Sequence, residues 1–453
     1  MRAPILTAGL VWALSASAGC GSDTAGGSAT TSATGATAGH GGAAGAAGSG
    51  GTAGSGGAAG SGGSTGGAGT VGTMTVAEWA SEFDAYWDDP AYDYSMEATH
   101  MVGGSYRGAR MAAESGNYDQ EYYFLSYQLN GLLQIWQATG QDKYLRDALE
   151  LIHICIAQAV DVGGGYLGWP NADNDGYPLW DSICWRIVTS LLRVMHESPT
   201  LLTQPNATGG TYQDDYDEIL AFTETHIWNR YAGTATAGIT SGNLYRSRTH
   251  MASHWARIAN DLHVITGTGK YLEVFDNISF AGFPAGTSYP GDSMRNQLRI
   301  SSVDPDAWEW NQTWDVASGG GGTIQDMSHA NQVVSWLSNA YETGYYWTKD
   351  DVDKLTATLD QVLLTGSNYQ LWYNLDQTVP ASYPSGLFEQ RGRGHEWMVL
   401  GRYDQALQDK IETNYVHGGT NGEYNLRYYA TSVLGVMALN QKLLTDRAPV
   451  YPE

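Results

Sequence analysis

Apolar residues recur every three or four positions along most of the chain beyond residue 120, which predicts amphipathic helices. The clearest unit spans residues 121–158, where Gly140 stops one apolar helix and a second begins near Asp142. The same unit returns further along the chain, stopped at two later glycines: Gly267 and Gly344. The pattern therefore predicts a domain of repeated helical hairpins.

Helical hairpins that repeat must bury their faces against their neighbours, so they either close into a toroid or stack into a solenoid. Six of the predicted helices follow long loops rich in Gly, Trp and Tyr, and we expect these to be the inner helices of a ring. They start near residues 121, 180, 250, 328, 395 and 426, and residues 76–90 are expected to add part of a seventh pair. The predicted fold is all-α, an (α/α)6 or (α/α)7 toroid, with an open solenoid as the alternative.

The N-terminal region has a different pattern. Arg2 precedes the apolar run "APILTAGLVWAL", so residues 1–20 indicate a signal peptide that is too short to span a membrane stably. Its end, "SAGC", resembles the bacterial lipobox, although Ser17 stands where Leu is usual. The resemblance implies lipidation of Cys20, and an ordinary signal peptide with a nearby Cys is the alternative.

Residues 21–73 consist almost entirely of Gly, Ala, Ser and Thr, a composition that predicts a disordered linker. Residues 74–453 are then expected to form one catalytic domain. Together these segments predict an exported lipoprotein of the outer membrane or cell surface, held at the membrane by its N-terminal lipid and otherwise monomeric.

Composition narrows the choice of partners. The net charge of −24 argues against a nucleic-acid partner. The 16 Trp and 29 Tyr residues, together with Gly-rich loops, are typical of secreted carbohydrate-active proteins. Cys155 and Cys184 lie in apolar helical segments and are predicted to be free buried thiols. No Cys/His set has metal-ligand spacing, so neither a metal nor another cofactor is expected.

In an α/α toroid each outer helix returns the chain to its starting end, so the N-termini of all inner helices meet at one mouth. His, Arg, Tyr and Asn are concentrated at these positions, in a domain that is otherwise acidic and poor in Arg, which favours a polyanionic ligand. The polar and aromatic residues predicted at the mouth are Tyr177, Trp180, Asp181, Tyr245, Arg246, Arg248, His250, His254, Asp326, His329, Asn331, Tyr383, Arg391, Arg393, His395, Glu396, Glu423, Tyr424, Arg427 and Tyr428.

Each of these residues also has a purely structural interpretation. A His at a helix start is often a cap or a satisfied core group, Asp326 or Ser328 would cap a helix, and Trp180 would belong to the core. Superposing the helical units at their glycines places His254 over Asn331 and Tyr127, so these positions are equivalent around the ring.

Two reactions suit this set of residues. Glycoside hydrolysis needs two facing carboxylates, which four residues could provide: Asp181, Asp326, Glu396 and Glu423. β-Elimination of a uronic-acid polymer instead needs donors that neutralise the sugar carboxylate, a base for the C5 proton and an acid for the leaving O4. Tyr, His, Arg and Asn side chains fill those roles.

The stretch "QDMSHANQ", the hairpin toroid and the lipoprotein context resemble the toroid polysaccharide lyases, in particular the group containing glucuronan and alginate lyases, over roughly residues 76–445. The resemblance implies His329 as base and Tyr383 as acid, or as both base and acid. Arg391 or Arg393 would be the nearby cation, although in such lyases the Arg precedes the Tyr.

The remaining roles that we assign on this resemblance are neutralisation of the sugar carboxylate and binding of the sugar. Carboxylate neutralisation falls to Asn331, His250 and Arg393, and stacking on sugar rings to Trp180 and Tyr245. Further substrate contacts are expected from Arg248, His254, Arg391 and His395. His250 with Arg299 forms a rival catalytic pairing.

Two alternatives stay open at this point. "RGRGHEW", residues 391–397, is loosely similar to the unsaturated glucuronyl hydrolases, which share the toroid fold, so a hydrolase is one alternative. A non-catalytic glycan-binding lipoprotein is the other.

Overall fold

The computed structural model describes residues 74–93, 95–97, 100–101, 104–115, 121–170, 178–314, 322–365, 372–378, 394–417, 426 and 429–446. The α-helices are α1 (Val76–Trp87), α2 (Tyr106–Glu114), α3 (Glu121–Thr139), α4 (Asp142–Ala157), α5 (Pro178–His196), α6 (Pro199–Leu202), α7 (Tyr212–Phe222), α8 (Asn229–Ala232), α9 (Thr249–Thr266), α10 (Gly269–Asp276), α11 (Met294–Gln297), α12 (Met327–Glu342), α13 (Lys349–Ala357), α14 (Gln405–Lys410) and α15 (Ala430–Asp446).

Shorter elements complete the architecture. The 3-10 helices are Pro90–Tyr92 and His395–Tyr403, and π-helical turns occupy Thr223–Trp228, Asn277–Ala281, Thr358–Leu363 and Ile411–Val416. Three antiparallel hairpins pair β1 (Ser95–Glu97) with β2 (His100–Met101), β3 (Val160–Asp161) with β4 (Leu167–Gly168), and β5 (Arg299–Ile300) with β6 (Trp308–Glu309).

The helices form a closed ring, which confirms the predicted α/α toroid and excludes the open solenoid. Six inner helices contact one another in the order α3, α5, α9, α12, the 3-10 helix His395–Tyr403 and α15, and α15 packs against α3 again. The outer helices α4, α7, α10, α13 and α14 pack behind the first five of them.

The segment predicted as part of a seventh pair has a different place. Within the described residues, α1 packs against α15 and so acts as the outer helix of the sixth pair. The seventh-pair interpretation of residues 76–90 is therefore wrong, and the described part of the ring is an (α/α)6 toroid whose last pair joins the two ends of the domain.

The predicted helix boundaries agree with the structure to within a few residues. Gly267 adopts a left-handed φ of 68° and donates its N–H to the His263 carbonyl, so it ends α9 as a C-terminal cap. Gly140 takes a φ of 67° at the same place in the first hairpin. These turns require a conformation that residues with a Cβ rarely adopt, which explains why the glycines marked the stops in the sequence.

The interior of the domain is rich in tryptophan. Ten of the 16 Trp side chains are fully buried between the helices. Most of the Trp content therefore stabilises the core instead of forming sugar-binding surfaces. Cys155 and Cys184 are both free and buried, as predicted. Among the described helices, none has the length and apolarity needed to cross a membrane.

The ring closes where α3 and α15 approach closely. A Cβ on Gly131 of α3 would lie 2.5 Å from the Thr431 carbonyl oxygen, and a Cβ on Gly435 of α15 would overlap the Gly131 carbonyl. The Asn130 amide donates to Ser432 Oγ at 3.0 Å across the same contact. Glycines at this crossing let the two backbones touch.

We predict that Gly435→Ala destabilises the domain by about 1–3 kcal/mol, because the added methyl group forces α15 away from α3 and outweighs the better helix propensity of Ala. Urea unfolding monitored by Trp fluorescence measures the change. Gly269→Ala is the matched control, since a Cβ there meets nothing within 4 Å. Equal stability of the two variants would contradict a tight crossing.

Candidate active site

The N-termini of the inner helices lie next to long loops that are tied together by short β-bridges. Arg248 bridges to Thr313 and Asn311 to Ile324, which joins the start of α9 to the loop that precedes α12. Asp326 bridges to Asn374. These bridges hold the described loops at the starts of α9 and α12 together, and we call the surface at the inner-helix starts the mouth.

Asp326 holds His329 at the start of α12. One carboxylate oxygen caps the helix by accepting the backbone N–H of His329 at 3.0 Å, and the other lies 2.7 Å from His329 Nδ1. A carboxylate only accepts, so Nδ1 carries a proton, and whenever the ring is neutral its lone pair lies on Nε2. About one third of the His329 side chain is exposed, with 32% of its surface accessible.

The same pair fixes the charge of Asp326. Burial raises the pKa of this carboxyl, but the charge and hydrogen bonds of His329 and the hydroxyl of Ser328 outweigh burial and hold the pKa well below its usual range. Asp326 is therefore ionised at neutral pH, and it orients His329 in the way that a carboxylate orients the histidine of a catalytic triad.

His250, at the start of α9, lies beside His329. The two ring centroids are 4.4 Å apart, with 36° between the ring planes. Burial, followed by the charges of His329 and His254, lowers the pKa of His250 well below its ordinary value. Its Nδ1 is buried, and no group in the described part of the chain hydrogen-bonds to it. The two histidines form a pair at the mouth in which His250 stays neutral.

His254 lies one turn further into α9 and contacts α5. Its Nδ1 is 3.0 Å from Ser182 Oγ, and its buried Nε2 has no partner among the described side chains. Burial, and then the charge of Arg186, lower the pKa of His254 well below the ordinary value. His254 is only 1% exposed, so it lines the interior below the mouth.

Asn331 and His395 are buried and connect neighbouring inner helices. Asn331 Oδ1 accepts the backbone N–H of Glu396 at 3.1 Å, and its Nδ2 donates to the Ser328 carbonyl at 3.0 Å. The His395 ring packs between two tyrosines, with centroids 4.4 Å from Tyr127 and 4.7 Å from Tyr429. Asn331 does point inward, but it is 1% exposed and its amide ties α12 to the next inner helix.

Below this layer, Arg186 of α5 and Glu396 form an ion pair across the ring. Nη1 of Arg186 donates to one carboxylate oxygen at 2.8 Å and Nη2 donates to the other. Arg186 is 0% exposed and Glu396 2%. Burial raises the pKa of Glu396, but Arg186 outweighs it and holds the pKa well below its usual range. Sequence reasoning missed Arg186, although a lone Arg inside the apolar stretch "DSICWRIV" was a visible signal.

The other predicted site residues that the structure describes differ in how far they are buried. Trp180 is half-buried at the start of α5, with its ring 5.3 Å from that of Tyr123. Tyr245 is 2% exposed, and its hydroxyl accepts from the Asn277 amide, so its ring lies in the core and has no face open to a sugar. Arg248 donates to the Gln312 side chain at 3.0 Å.

Several predicted site residues lie outside the described part of the chain. These are Tyr177, Tyr383, Arg391, Arg393, Glu423, Tyr424, Arg427 and Tyr428. The rival cation Arg299 donates to Glu309 and Asn311 at the β5–β6 hairpin.

The described carboxyl groups at the mouth are each bound to donors. Asp326 is bound to His329 and Glu396 to Arg186, while Asp181 accepts from the Tyr231 hydroxyl at 2.5 Å and from Arg230 at 3.2 Å. Burial raises the pKa of Asp181 to about 7, against the opposing effects of Arg230 and Tyr231. Both oxygens of Asp326 and of Glu396 are therefore engaged, whereas Asp181 Oδ1 has no hydrogen-bond partner among the described residues.

The buried histidines predict a loss of stability in mild acid. The unfolded chain takes up protons on His250 and His254 below about pH 6.5, while the folded chain does so only far below, so the stability that these two histidines contribute falls as pH drops from 6.5 to 5. Each histidine costs about 1.4 kcal/mol per pH unit in this window.

We expect His254→Gln to reduce this pH slope by about half while retaining the contact with Ser182, as measured by urea unfolding at several pH values. His263→Gln, at the far end of α9, is the control. The pKa of His153 is raised, chiefly by its hydrogen bond to Asp215, so protonation of His153 stabilises the folded state as pH falls. This contribution is the same in all the variants and does not affect their comparison. An unchanged slope in His254→Gln would contradict the buried neutral state.

No protein-family model and no curated protein matches the chain. Among solved structures, the chain is similar to the alpha-1,6-mannanase GH76A of Salegentibacter sp. HEL1_6, with 11% identity and a TM-score of 0.43 over 82% of this chain and 98% of that one. An inactive variant of that mannanase in complex with alpha-1,6-mannotriose gives the same values. A protein named as a polysaccharide lyase is similar with 9% identity and a TM-score of 0.39, over 72% of this chain and 91% of that chain. Similarity at this level assigns neither a family nor a reaction, so a functional conclusion has to rest on the chemistry of the mouth.

Proposed function

We propose that this chain is a carbohydrate-active enzyme and, within that class, a polysaccharide lyase that cleaves a uronic-acid polymer by β-elimination. The observation that carries the proposal is the His329–Asp326 pair beside the neutral His250 at the mouth. An oriented, part-exposed imidazole next to a second imidazole suits proton abstraction next to a carboxylate.

The reaction assigns a distinct role to each group. His329 Nε2 takes the C5 proton of the uronate, because Asp326 holds the proton of the neutral ring on Nδ1 and stabilises the imidazolium that forms. The electron pair left at C5 forms the C4–C5 double bond as the C4–O4 bond breaks. An acid protonates the departing O4, and for this role we propose Tyr383.

Abstraction of the C5 proton also requires neutralisation of the sugar carboxylate, since an uncompensated carboxylate makes C5 a weak acid. We propose His250 for this role, because its neutral imidazole lies beside His329 and a neutral imidazole carries one N–H that can be donated to an anion. We propose Arg393 or Arg391 as the accompanying cation and Trp180 as a stacking surface for a sugar ring. Asn331, being buried, we assign to positioning the helix starts.

The alternative is a glycoside hydrolase on the same fold. It would draw on Asp181, whose pKa of about 7 suits a general acid. The engagement of both oxygens of Asp326 and of Glu396 by donors of the protein favours the lyase, because hydrolysis needs a second carboxylate, besides Asp181, that is open to the sugar or to water.

The test is incubation of the purified domain with glucuronan, alginate and related uronate polymers, followed by ultraviolet absorbance of the C4–C5 double bond conjugated to the carboxylate. Growth of this absorbance supports the lyase. New reducing ends without the absorbance would identify a hydrolase, and binding without either product would identify a glycan-binding protein. Absence of the absorbance on every uronate polymer would overturn the proposal.

The substrate class agrees with the cellular location that we propose. A lipid on Cys20, followed by the Gly-, Ala-, Ser- and Thr-rich residues 21–73, would hold the domain at the cell envelope, where polymers too large to enter the cell are accessible. Cys20→Ala is expected to move the protein from the membrane fraction to the soluble fraction, and an unchanged distribution would refute the anchor.

A further inference from the structure

A small polar cavity lies on the axis of the ring, next to the Arg186–Glu396 ion pair. It has a volume of about 30 Å³, which is enough for one or two water molecules. Every inner helix contributes to its wall, and most of the side chains that reach it are polar. The charged ones are Arg193, Arg257, Glu342, Glu396 and Arg402.

Arg257 is the cation in this wall with the least compensation. It is 4% exposed, its Nε donates to Ser190 Oγ at 3.0 Å, and its Nη1 donates to Ser335 Oγ at 2.5 Å. No carboxylate in the described part of the chain hydrogen-bonds to it. Burial, and then the repulsion of Arg186, lower the pKa of Arg257 to about 10, so it remains protonated at neutral pH.

The other cations of the wall have carboxylate partners. Arg193 donates to Asp261 at 3.0 Å and to Glu197 at 2.7 Å, and Arg402 donates to Glu342 at 2.9 Å. Glu396, the other carboxylate of the wall, accepts from Arg186 at 2.8 Å. Asp261 is close enough to Arg257 to favour its charge, but its oxygens accept from Ser190, Arg193 and Asn339. Arg257 is therefore the buried cation of this described cluster to which no carboxylate hydrogen-bonds.

An isolated charge in a protein interior is costly, by several kcal/mol, unless a counter-charge accompanies it. A guanidinium has five N–H groups, and the two hydroxyls that contact Arg257 occupy only two of them. The cavity therefore adjoins a cation with unused donors, in a place where the low dielectric strengthens attraction to an anion.

We propose that this cavity binds a single monoatomic anion of the chloride class, held by Arg257 and neighbouring hydroxyl and amide donors. The size of the cavity excludes sugars and polyatomic organic acids. Glu342 and Glu396 do not exclude an anion, because each is already neutralised by its own arginine. This site is separate from the proposed catalytic reaction and does not depend on it.

Thermal unfolding in sodium chloride, and in sodium gluconate of the same ionic strength, tests the site in solution. An anion that binds only the folded state raises the Tm in a saturable manner, and we expect chloride to raise it by about 2–5 °C over gluconate. Arg257→Gln should abolish the difference, whereas Arg110→Gln, an exposed surface change, should retain it.

Crystals of the unmodified protein grown in sodium bromide give a second measurement that does not rely on a variant folding. The expected result is one anomalous peak within about 3.5 Å of the Arg257 guanidinium, consistent with a hydrogen-bonded halide. Equal Tm values in chloride and gluconate, together with no bromide peak in the cavity, would show that water alone fills it and would overturn the proposal.

Discussion

His329→Ala is expected to reduce the rate of uronate polymer cleavage by about 10²–10⁴-fold while leaving the domain folded, because it removes the proposed base from a part-exposed position. The initial rate of ultraviolet absorbance increase measures the effect, and circular dichroism checks the fold. His263→Ala is the control. His263 is also a helical histidine, but it lies in the last turn of α9, at the opposite end of that helix from His250 and the mouth. Equal activity of the two variants would exclude His329 as the base.

Asp326→Asn separates the orienting role of this residue from its capping role. Asn caps helices about as well as Asp, so α12 should remain intact. Loss of the charge should lower kcat and shift the acidic limb of the pH–rate profile, since the carboxylate no longer stabilises protonated His329. A variant with lower stability but an unchanged pH profile would indicate a purely structural Asp326.

Glu396→Gln is expected to cause the largest loss of stability, about 3–5 kcal/mol, because it leaves Arg186 charged and buried without its carboxylate. Urea unfolding at pH 7 measures this loss. Replacing both partners, in the double variant Arg186→Met with Glu396→Leu, should restore much of it, since no isolated charge remains. Asp353→Asn, in an exposed pair with Lys349, should have no measurable effect.

A double variant as unstable as Glu396→Gln alone would contradict this account. It would mean that the shape and hydrogen bonds of the pair, and not its charge balance, hold the inner helices together.

Much of the fold could be predicted because its signals are local. The apolar period, the stopping glycines and the Gly-rich loops all act within a single hairpin, and they located the inner helices to within a few residues. The place of α1 had no local signal, since its partner α15 lies at the other end of the domain. That is why residues 76–90 were predicted as part of a further pair.

In the candidate site, too, contacts between residues close in sequence could be predicted and contacts between distant residues could not. His329 and Asp326 are three residues apart, so their contact at a helix start could be predicted from spacing. Arg186 and Glu396 are separated by 210 residues, and only the closed ring brings them together.

Exposure was the harder property to predict. Superposing the helical units gave Asn331 and His254 equivalent positions in the ring, but it could not distinguish an open mouth from a packed interior. Both residues are 1% exposed.

The junction of α1, α15 and α3 also affects how the molecule forms. Because the ring is closed by segments from its two ends, the last helix has to be synthesised before the first can bury its inner face. Asn130 and Ser432, 302 residues apart, meet only at that stage. A chain still in synthesis or truncated before residue 430 therefore exposes an apolar surface, and the high contact order of the closure favours slow folding and dependence on chaperones.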